Sequence, residues 1–382
     1  MLNMPSRLPD VGTTIFTVMS RLAAEHGAIN LSQGFPDFSP PQRLIERVTH
    51  HMASGANQYA PMAGALPLRQ AIFAKVESLY GARYDVETDI TVTAGATQAI
   101  FTAVAACVRP GDEVIAFAPV YDSYGPAVRL AGGELRCALL RFPDYRPDWD
   151  EVRAMIGPRT RMIIVNTPHN PTGTVWSASD IAVLAELTRG TDIVVVADEV
   201  YEHMAFDGAR HESIARHAEL RQRSFVISSF GKTYHCTGWK IAYCLAPPGL
   251  STEFRKAHQF VVFAVNHPVQ LAIADFMTAV PEFARDLARF YQGKRDFFRQ
   301  QLAASRLRLL PCAGTYFQLA DYSQISDLPD VEFARWLTVE HGVAAIPVSV
   351  FSPRGEDHRV VRFCFAKNDR TLSAAGERLA EL

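Results

Sequence analysis

What this sequence lacks narrows its function first. Its apolar runs are short: residues 260–265 and 193–197 are typical, against the ~18 that a membrane-spanning helix needs. No membrane role is expected. A net charge of −2, from 38 Lys+Arg against 40 Asp+Glu, gives no global attraction to nucleic acid or anionic lipid. The six cysteines include no C-x-x-C pair and no Cys/His cluster at zinc spacing, so reduced structural thiols and no metal site are expected. His50 and His51 are adjacent and would point to different sides of a helix or strand, which suits solvated residues better than ligands. The opening residues hold Pro5 and Pro9 but no apolar core ahead of a small-residue cleavage site. That excludes a secretory leader from the reading, which is cytoplasmic. Internal repeats and low-complexity tracts are also missing.

What is present is a globular composition, 48% apolar and 20% charged over 382 residues, enough chain for two packed domains. Prolines and glycines punctuate the first forty residues at a spacing that predicts an extended arm and loop rather than long regular elements. Residues 44–80 read as helical around a turn at 57–64. Apolar strand patterns follow at 90–93, 113–117, 161–165, 192–197, 224–228 and 241–245, with helical segments such as 96–108 between them. Several are apolar at consecutive positions, as in strands buried on both faces. Strand and helix in alternation predict an α/β layered domain with a mostly parallel central sheet. Beyond residue 275 a long helix over 281–302, short strands at 315–319 and 359–366, and helices at 330–340 and 372–382 predict a smaller α+β domain. The expected organisation is an arm (1–43) packing with the small domain, a large domain (44–275) and a small C-terminal domain (276–382).

In such sheets ligands bind beyond the carboxyl ends of the strands, so polar residues directly after apolar runs are the candidates. Thr93-Ala-Gly-Ala-Thr-Gln98 turns straight into a helix whose N–H groups suit a phosphate, although alone it reads as an ordinary helix start. Asn166-Thr-Pro-His-Asn-Pro-Thr-Gly173 follows a strand and offers two amides, with a structural turn as the plainer reading. Asp198 closes the run 193–197, where a buried carboxylate needs a cationic or hydrogen-bonding partner. Ser228-Ser-Phe-Gly-Lys232 places a lysine among small residues after a strand. Lysines are mostly surface charges, but one desolvated there becomes a nucleophilic amine.

Gly231-Lys-Thr233 mimics the end of a phosphate-binding P-loop, yet the first glycine of that motif would fall at Val226, inside a strand. An ATPase reading fails there. A phosphate cradle, a reactive lysine, a buried carboxylate and amide donors on successive strand ends match the needs of pyridoxal 5′-phosphate.

With these motifs the chain resembles the fold-type I, class I/II pyridoxal-phosphate aminotransferases. The resemblance runs from Leu31-Ser-Gln-Gly-Phe-Pro-Asp-Phe38 through Asn57-Gln-Tyr59, Ala94-Gly-Ala-Thr97, Asn170-Pro-Thr-Gly173, Asp198-Glu-Val-Tyr201 and Ser229-Phe-Gly-Lys232 to Arg362-Phe-Cys-Phe365. Within the family it is most similar to the bacterial methionine aminotransferases, near the kynurenine aminotransferase/glutamine transaminase branch.

That resemblance implies roles. Lys232 would carry the cofactor as a Schiff base and move the substrate α-proton. Asp198 would pair with the ring nitrogen, Asn170 and Tyr201 with the ring oxygen, and Tyr121 would stack on the ring. Ala96, Thr97, Ser229 and Lys240 would hold the phosphate, Lys240 standing where many relatives carry arginine. Tyr59 would reach the phosphate of a neighbouring subunit, implying a homodimer with shared sites. Arg362 and the Gly34 N–H would bind the substrate carboxylate, and Phe16 would line the side-chain pocket.

The implied reaction is ping-pong transfer of an α-amino group from methionine, or an aromatic or other large uncharged amino acid, to a 2-oxo acid. No second arginine is assignable to a distal carboxylate. Two rivals stand beside it. One is cysteine-conjugate β-elimination, or the related kynurenine (glutamine) transaminase activity. The other is a non-catalytic ligand-sensing domain, disfavoured because Lys232 is present and only about thirty residues, with no basic recognition helix, precede the Gly-Phe-Pro-Asp-Phe loop.

Overall fold

The apolar runs between residues 90 and 245 form one sheet. In the computed structural model, which describes residues 4–382, its order is Ile90–Thr93, Ala242–Leu245, Ser224–Ser229, Val194–Asp198, Thr160–Asn166, Glu113–Ala118, Glu134–Arg141 and Arg146–Pro147. The pairings from Ser224–Ser229 to Glu134–Arg141 are parallel, and Ala242–Leu245 runs antiparallel to both its neighbours. Side-chain alternation explains why both sides of the sheet had to be apolar. Val114, Ala116, Met162, Ile164, Val196, Phe225 and Ile227 pack on one face with Ala99, Ile100 and Ala103 of the helix Ala96–Cys107. Ile115, Phe117, Ile163, Val165, Val195, Ala197 and Val226 enter a second cluster on the other face, with Leu68, Ile72 and Trp176.

Glu134–Arg141 is a strand that the sequence pattern did not predict. Its residues are mostly half-buried or exposed, because beyond it lies only the two-residue strand Arg146–Pro147, so it shows no continuous apolar run.

A second, antiparallel sheet orders Arg308–Leu309, Phe317–Asp321, Val360–Cys364 and Ile346–Pro347. Helices Glu282–Gln301, Asp330–Glu340 and Asp369–Leu379 contribute Tyr291, Phe298, Phe333, Leu337 and Leu372 to its core. Ile29–Asn30 pairs in parallel with Val343–Ala344 beside it. The expected extended arm is corrected here. Ile15–Glu25 is an 11-residue helix, because Pro5, Pro9 and Gly12 all precede it and Gly27 follows, so these residues bound the helix instead of breaking it. Thr14 caps it by accepting from the Thr17 N–H, and Met19, Leu22 and Ala23 are buried. The first three residues of that expected arm lie outside the described residues.

The six cysteines are unpaired thiols. His51 meets Asp275 at 2.8 Å, and among the described residues no group of three His, Cys, Asp or Glu could hold a metal. No described helix is long and apolar enough to cross a membrane.

Candidate active site

The parallel strands end at a cavity of about 210 Å³. Asn166, Asp198 and Ser229 are the last residues of three adjacent strands and line it, as the carboxyl-end rule for open α/β sheets requires. Phe317 and Arg362 of the antiparallel sheet close its other side, with Phe16 and Gly34 from the N-terminal segment.

Asp198 is 4% exposed. Burial pushes its carboxyl up to about 6, while the Tyr124 hydroxyl, the Val200 N–H and the Lys232 charge pull it back. Tyr124 donates to Oδ2 at 2.5 Å. The Asp198 carbonyl accepts from Asn166 Nδ2 at 2.8 Å, and Asn166 Oδ1 accepts from the Asn170 N–H at 2.7 Å. One asparagine therefore fixes the loop that carries the other.

Lys232 sits in the short helix Phe230–Thr233, directly after Ser224–Ser229. Burial pushes its amine down to about 8, with Arg362 and Lys240 adding to the effect and Cys364 and Asp198 opposing it. Nζ donates to Tyr316 Oη at 2.7 Å and to the Gly34 carbonyl at 3.1 Å. A half-buried amine whose pKa is depressed keeps a larger neutral, nucleophilic fraction near neutral pH than a surface lysine does.

Also at the cavity, the helix Ala96–Cys107 begins at Gly95, φ 84°, with no side-chain cap and no acidic residue in its first turn. Its free N–H groups and positive end face the cavity through Ala96 and Thr97, beside Ser229 and Lys240. A Cβ on Gly95 would lie 3.1 Å from Lys240 Nζ, so glycine lets the ammonium approach the helix start. This donor set fits a phosphate.

Arg362 is fully buried. Nη1 donates to Asn170 Oδ1 at 2.8 Å and Nη2 to the Ser32 carbonyl at 3.0 Å, while Nε has no partner. An unsatisfied buried guanidinium N–H is costly and suits a site completed by a carboxylate. The guanidinium lies over Phe317, 3.9 Å from the ring centroid, with Phe16 at 5.3 Å. Tyr121 and Tyr201 also line the cavity, and burial holds both hydroxyls protonated.

The expected residues Gly34, Ala96, Thr97, Tyr121, Asn170 and Asp198 thus share one cavity with Tyr201, Ser229, Lys232, Lys240, Phe16 and Arg362. Tyr59 is outside it, 81% exposed and edge-on to Phe263 at 5.1 Å. Sequence reasoning missed Tyr124 and Tyr316. Tyr124 is the first residue of the helix Tyr124–Leu130, three positions after Tyr121, and no motif in the sequence marks it. Tyr316 stands beside Phe317 before an apolar strand and reads as core.

Comparison with known proteins agrees with this geometry. The family model for aminotransferase class I and II matches residues 26–379. The methionine aminotransferase of Escherichia coli is 55% identical over 99% of this chain and 98% of its own. Its solved structure superposes with a TM-score of 0.98, covering 100% of both chains. The N-succinyldiaminopimelate aminotransferase structure from Mycobacterium tuberculosis is 39% identical with a TM-score of 0.95, over 99% of this chain and 100% of that one. Human kynurenine–oxoglutarate transaminase 1 is 32% identical over 98% of this chain and 96% of its own. A match that spans nearly the whole sequence, on a fold that gathers a half-buried lysine, a buried aspartate and a buried arginine around one cavity, leads to one assignment: the chain belongs to the class I and II aminotransferases.

Proposed function

We propose that this aminotransferase uses pyridoxal 5′-phosphate to move the α-amino group of L-methionine, or of an aromatic or other large uncharged amino acid, to a 2-oxo acid. The observation that carries the reading is the Lys232 amine, pushed down to about 8, in one cavity with Asp198 and the half-satisfied Arg362. When bound, the cofactor supplies a carbonyl carbon for amines and an electron-withdrawing ring. The N–H groups at Ala96 and Thr97, with Ser229 and Lys240, hold its phosphate. Asp198 keeps a proton on the ring nitrogen. Asn170, whose Oδ1 accepts from Arg362, has its Nδ2 left to donate to the ring oxygen, together with the Tyr201 hydroxyl. Tyr121 covers the ring face. Lys232 Nζ tethers the cofactor and, once displaced, moves the substrate α-proton. Arg362 binds the α-carboxylate through its fork.

Specificity for an uncharged side chain is supported by the lining. Among the described residues around the cavity Arg362 is the one arginine, so a distal carboxylate finds no second fork, and Phe16 and Phe317 offer apolar surface. The 55% identity to a methionine aminotransferase supports methionine as donor.

A homodimer completes the reading. Tyr59 stands in an exposed apolar patch with Phe260, Val261 and Phe263, which are 87%, 47% and 52% exposed, a patch suited to burial against a second copy.

The test is the visible spectrum of the purified protein. Addition of L-methionine without acceptor is expected to bleach the cofactor band, and a 2-oxo acid to restore it. A band unresponsive to methionine, phenylalanine and glutamine overturns the substrate assignment, and no band after reconstitution overturns the cofactor assignment.

A further inference from the structure

Tyr316 is fully buried next to the strand Phe317–Asp321, and its hydroxyl proton goes to the Gly34 carbonyl at 2.5 Å. A phenol has one proton to give. Toward Lys232 Nζ, 2.7 Å away, the hydroxyl is therefore an acceptor. The Gly34 carbonyl accepts from the same Nζ at 3.1 Å. A neutral amine has two N–H bonds and one lone pair. With both N–H bonds directed at Tyr316 and Gly34, the lone pair is left for the cavity that Lys232 lines.

We propose that Tyr316 is a positioning residue for transamination: with the Gly34 carbonyl it holds the displaced Lys232 amine by its hydrogens and so aims the lone pair at the substrate α-proton. This rests on Lys232 being the proton-transferring amine. In that step the α-C–H bond breaks, its electron pair stays with the carbon and is drawn toward the cofactor ring, and the proton forms a third N–H bond on Nζ. The two acceptors stay engaged as the amine becomes an ammonium, and hydrogen bonds to a charged donor are the stronger ones, so the same contacts favour uptake of the proton.

The charged and titratable groups around Lys232 come from several elements. Asp198 ends Val194–Asp198, Arg362 and Cys364 lie on Val360–Cys364, Lys240 follows the Lys232 turn, and the Tyr201 ring centroid is 5.5 Å from Nζ. Tyr316→Phe leaves each of these side chains in place, although the Tyr316 hydroxyl also bears on Tyr201 and Arg362. That change also keeps the ring, which packs on Tyr201 at 5.2 Å, Phe317 at 4.9 Å and Tyr291 at 5.6 Å.

The experiment compares wild type with Tyr316→Phe in two states of the full chain. In the cofactor-stripped protein, the pKa of Lys232 is read from the pH dependence of its acylation by acetic anhydride, followed by peptide mass spectrometry. Loss of an acceptor for the ammonium is expected to lower it by about one unit. In the holoenzyme, the single-turnover reaction with L-methionine is expected to slow about 10- to 100-fold while the methionine concentration at half-maximal rate stays within about threefold. Tyr291→Phe, which removes a hydroxyl from the same aromatic cluster that faces His235 at 3.0 Å, controls for packing and is expected to leave the Lys232 pKa in place. An unchanged Lys232 pKa in Tyr316→Phe overturns the proposal whatever the rate does. So does an equal shift in Tyr291→Phe. If the wild-type holoenzyme shows no half-reaction, the cofactor reading fails separately, because the acylation measurement does not depend on it.

Discussion

Tyr124 gives its hydroxyl proton to Asp198 Oδ2 at 2.5 Å, joining the segment after Glu113–Ala118 to the end of Val194–Asp198. Burial has already pushed this carboxyl up to about 6, and the tyrosine is the largest influence holding it down. Because the folded value lies above the unfolded one, the contribution of Asp198 to stability is fully present below about pH 4 and is lost as pH rises through about 6. Tyr124→Phe is expected to raise the carboxyl further and extend that loss to higher pH. Melting temperatures of cofactor-free protein from pH 4 to 8 test this, with Asp198→Asn as the variant that lacks the slope. Superimposable curves for wild type and Asp198→Asn would sink the assignment.

Arg362 combines three tasks that a lysine cannot share: two directed donors, an unpaired Nε and a flat face 3.9 Å from the Phe317 centroid. Arg362→Lys keeps the charge and loses the fork. The KM for the amino donor is expected to rise on the order of 10- to 100-fold, the worth of one charged hydrogen bond. Steady-state kinetics with methionine decide it, and an unchanged KM would place carboxylate recognition elsewhere.

Behind the site, Glu202 is a buried carboxylate surrounded by donors. Lys75 Nζ reaches it at 2.5 Å and Tyr243 at 3.1 Å, and the Tyr80 and Ser228 hydroxyls also donate to it. The burial of Glu202 opposes ionisation, but Lys75 and the hydrogen bonds prevail and hold it well below the usual carboxylate range. Removing the lysine leaves a buried charge unpaired, which costs about 3–5 kcal/mol, whereas replacing both partners by apolar residues costs far less. Urea denaturation is therefore expected to show Lys75→Met less stable than the double variant Lys75→Met/Glu202→Leu. The reverse order would mean that the hydroxyls alone satisfy Glu202.

The sequence made the large sheet legible because its strands are buried on both faces, as at Ile163/Ile164 and Val195/Val196. Glu134–Arg141, half in water, gave no such run. Proline and glycine were misleading in the first forty residues, since their positions outside 15–25 matter more than their number. At the site, Lys232 and Asp198 stood out at the ends of apolar strands, whereas Arg362, in the middle of Val360–Cys364, came only with the family resemblance. Tyr316 was not readable, because a buried aromatic beside a strand carries no mark of whether its hydroxyl has work to do. That depends on Gly34, which is 282 positions away in the chain.

The same long separations govern how the site comes into being. Ser32 accepts from Arg362 across 330 positions, and Gly34 accepts from Lys232 across 198. A nascent chain that has emerged only as far as Lys232 holds the amine without the guanidinium that would grip a substrate. Loop closure over such spans is slow compared with local helix formation, so amine and guanidinium are brought under one roof late. Residues 32–34 are the segment on which both distant groups converge, so the site is complete only once that segment has met Lys232 and Arg362 together.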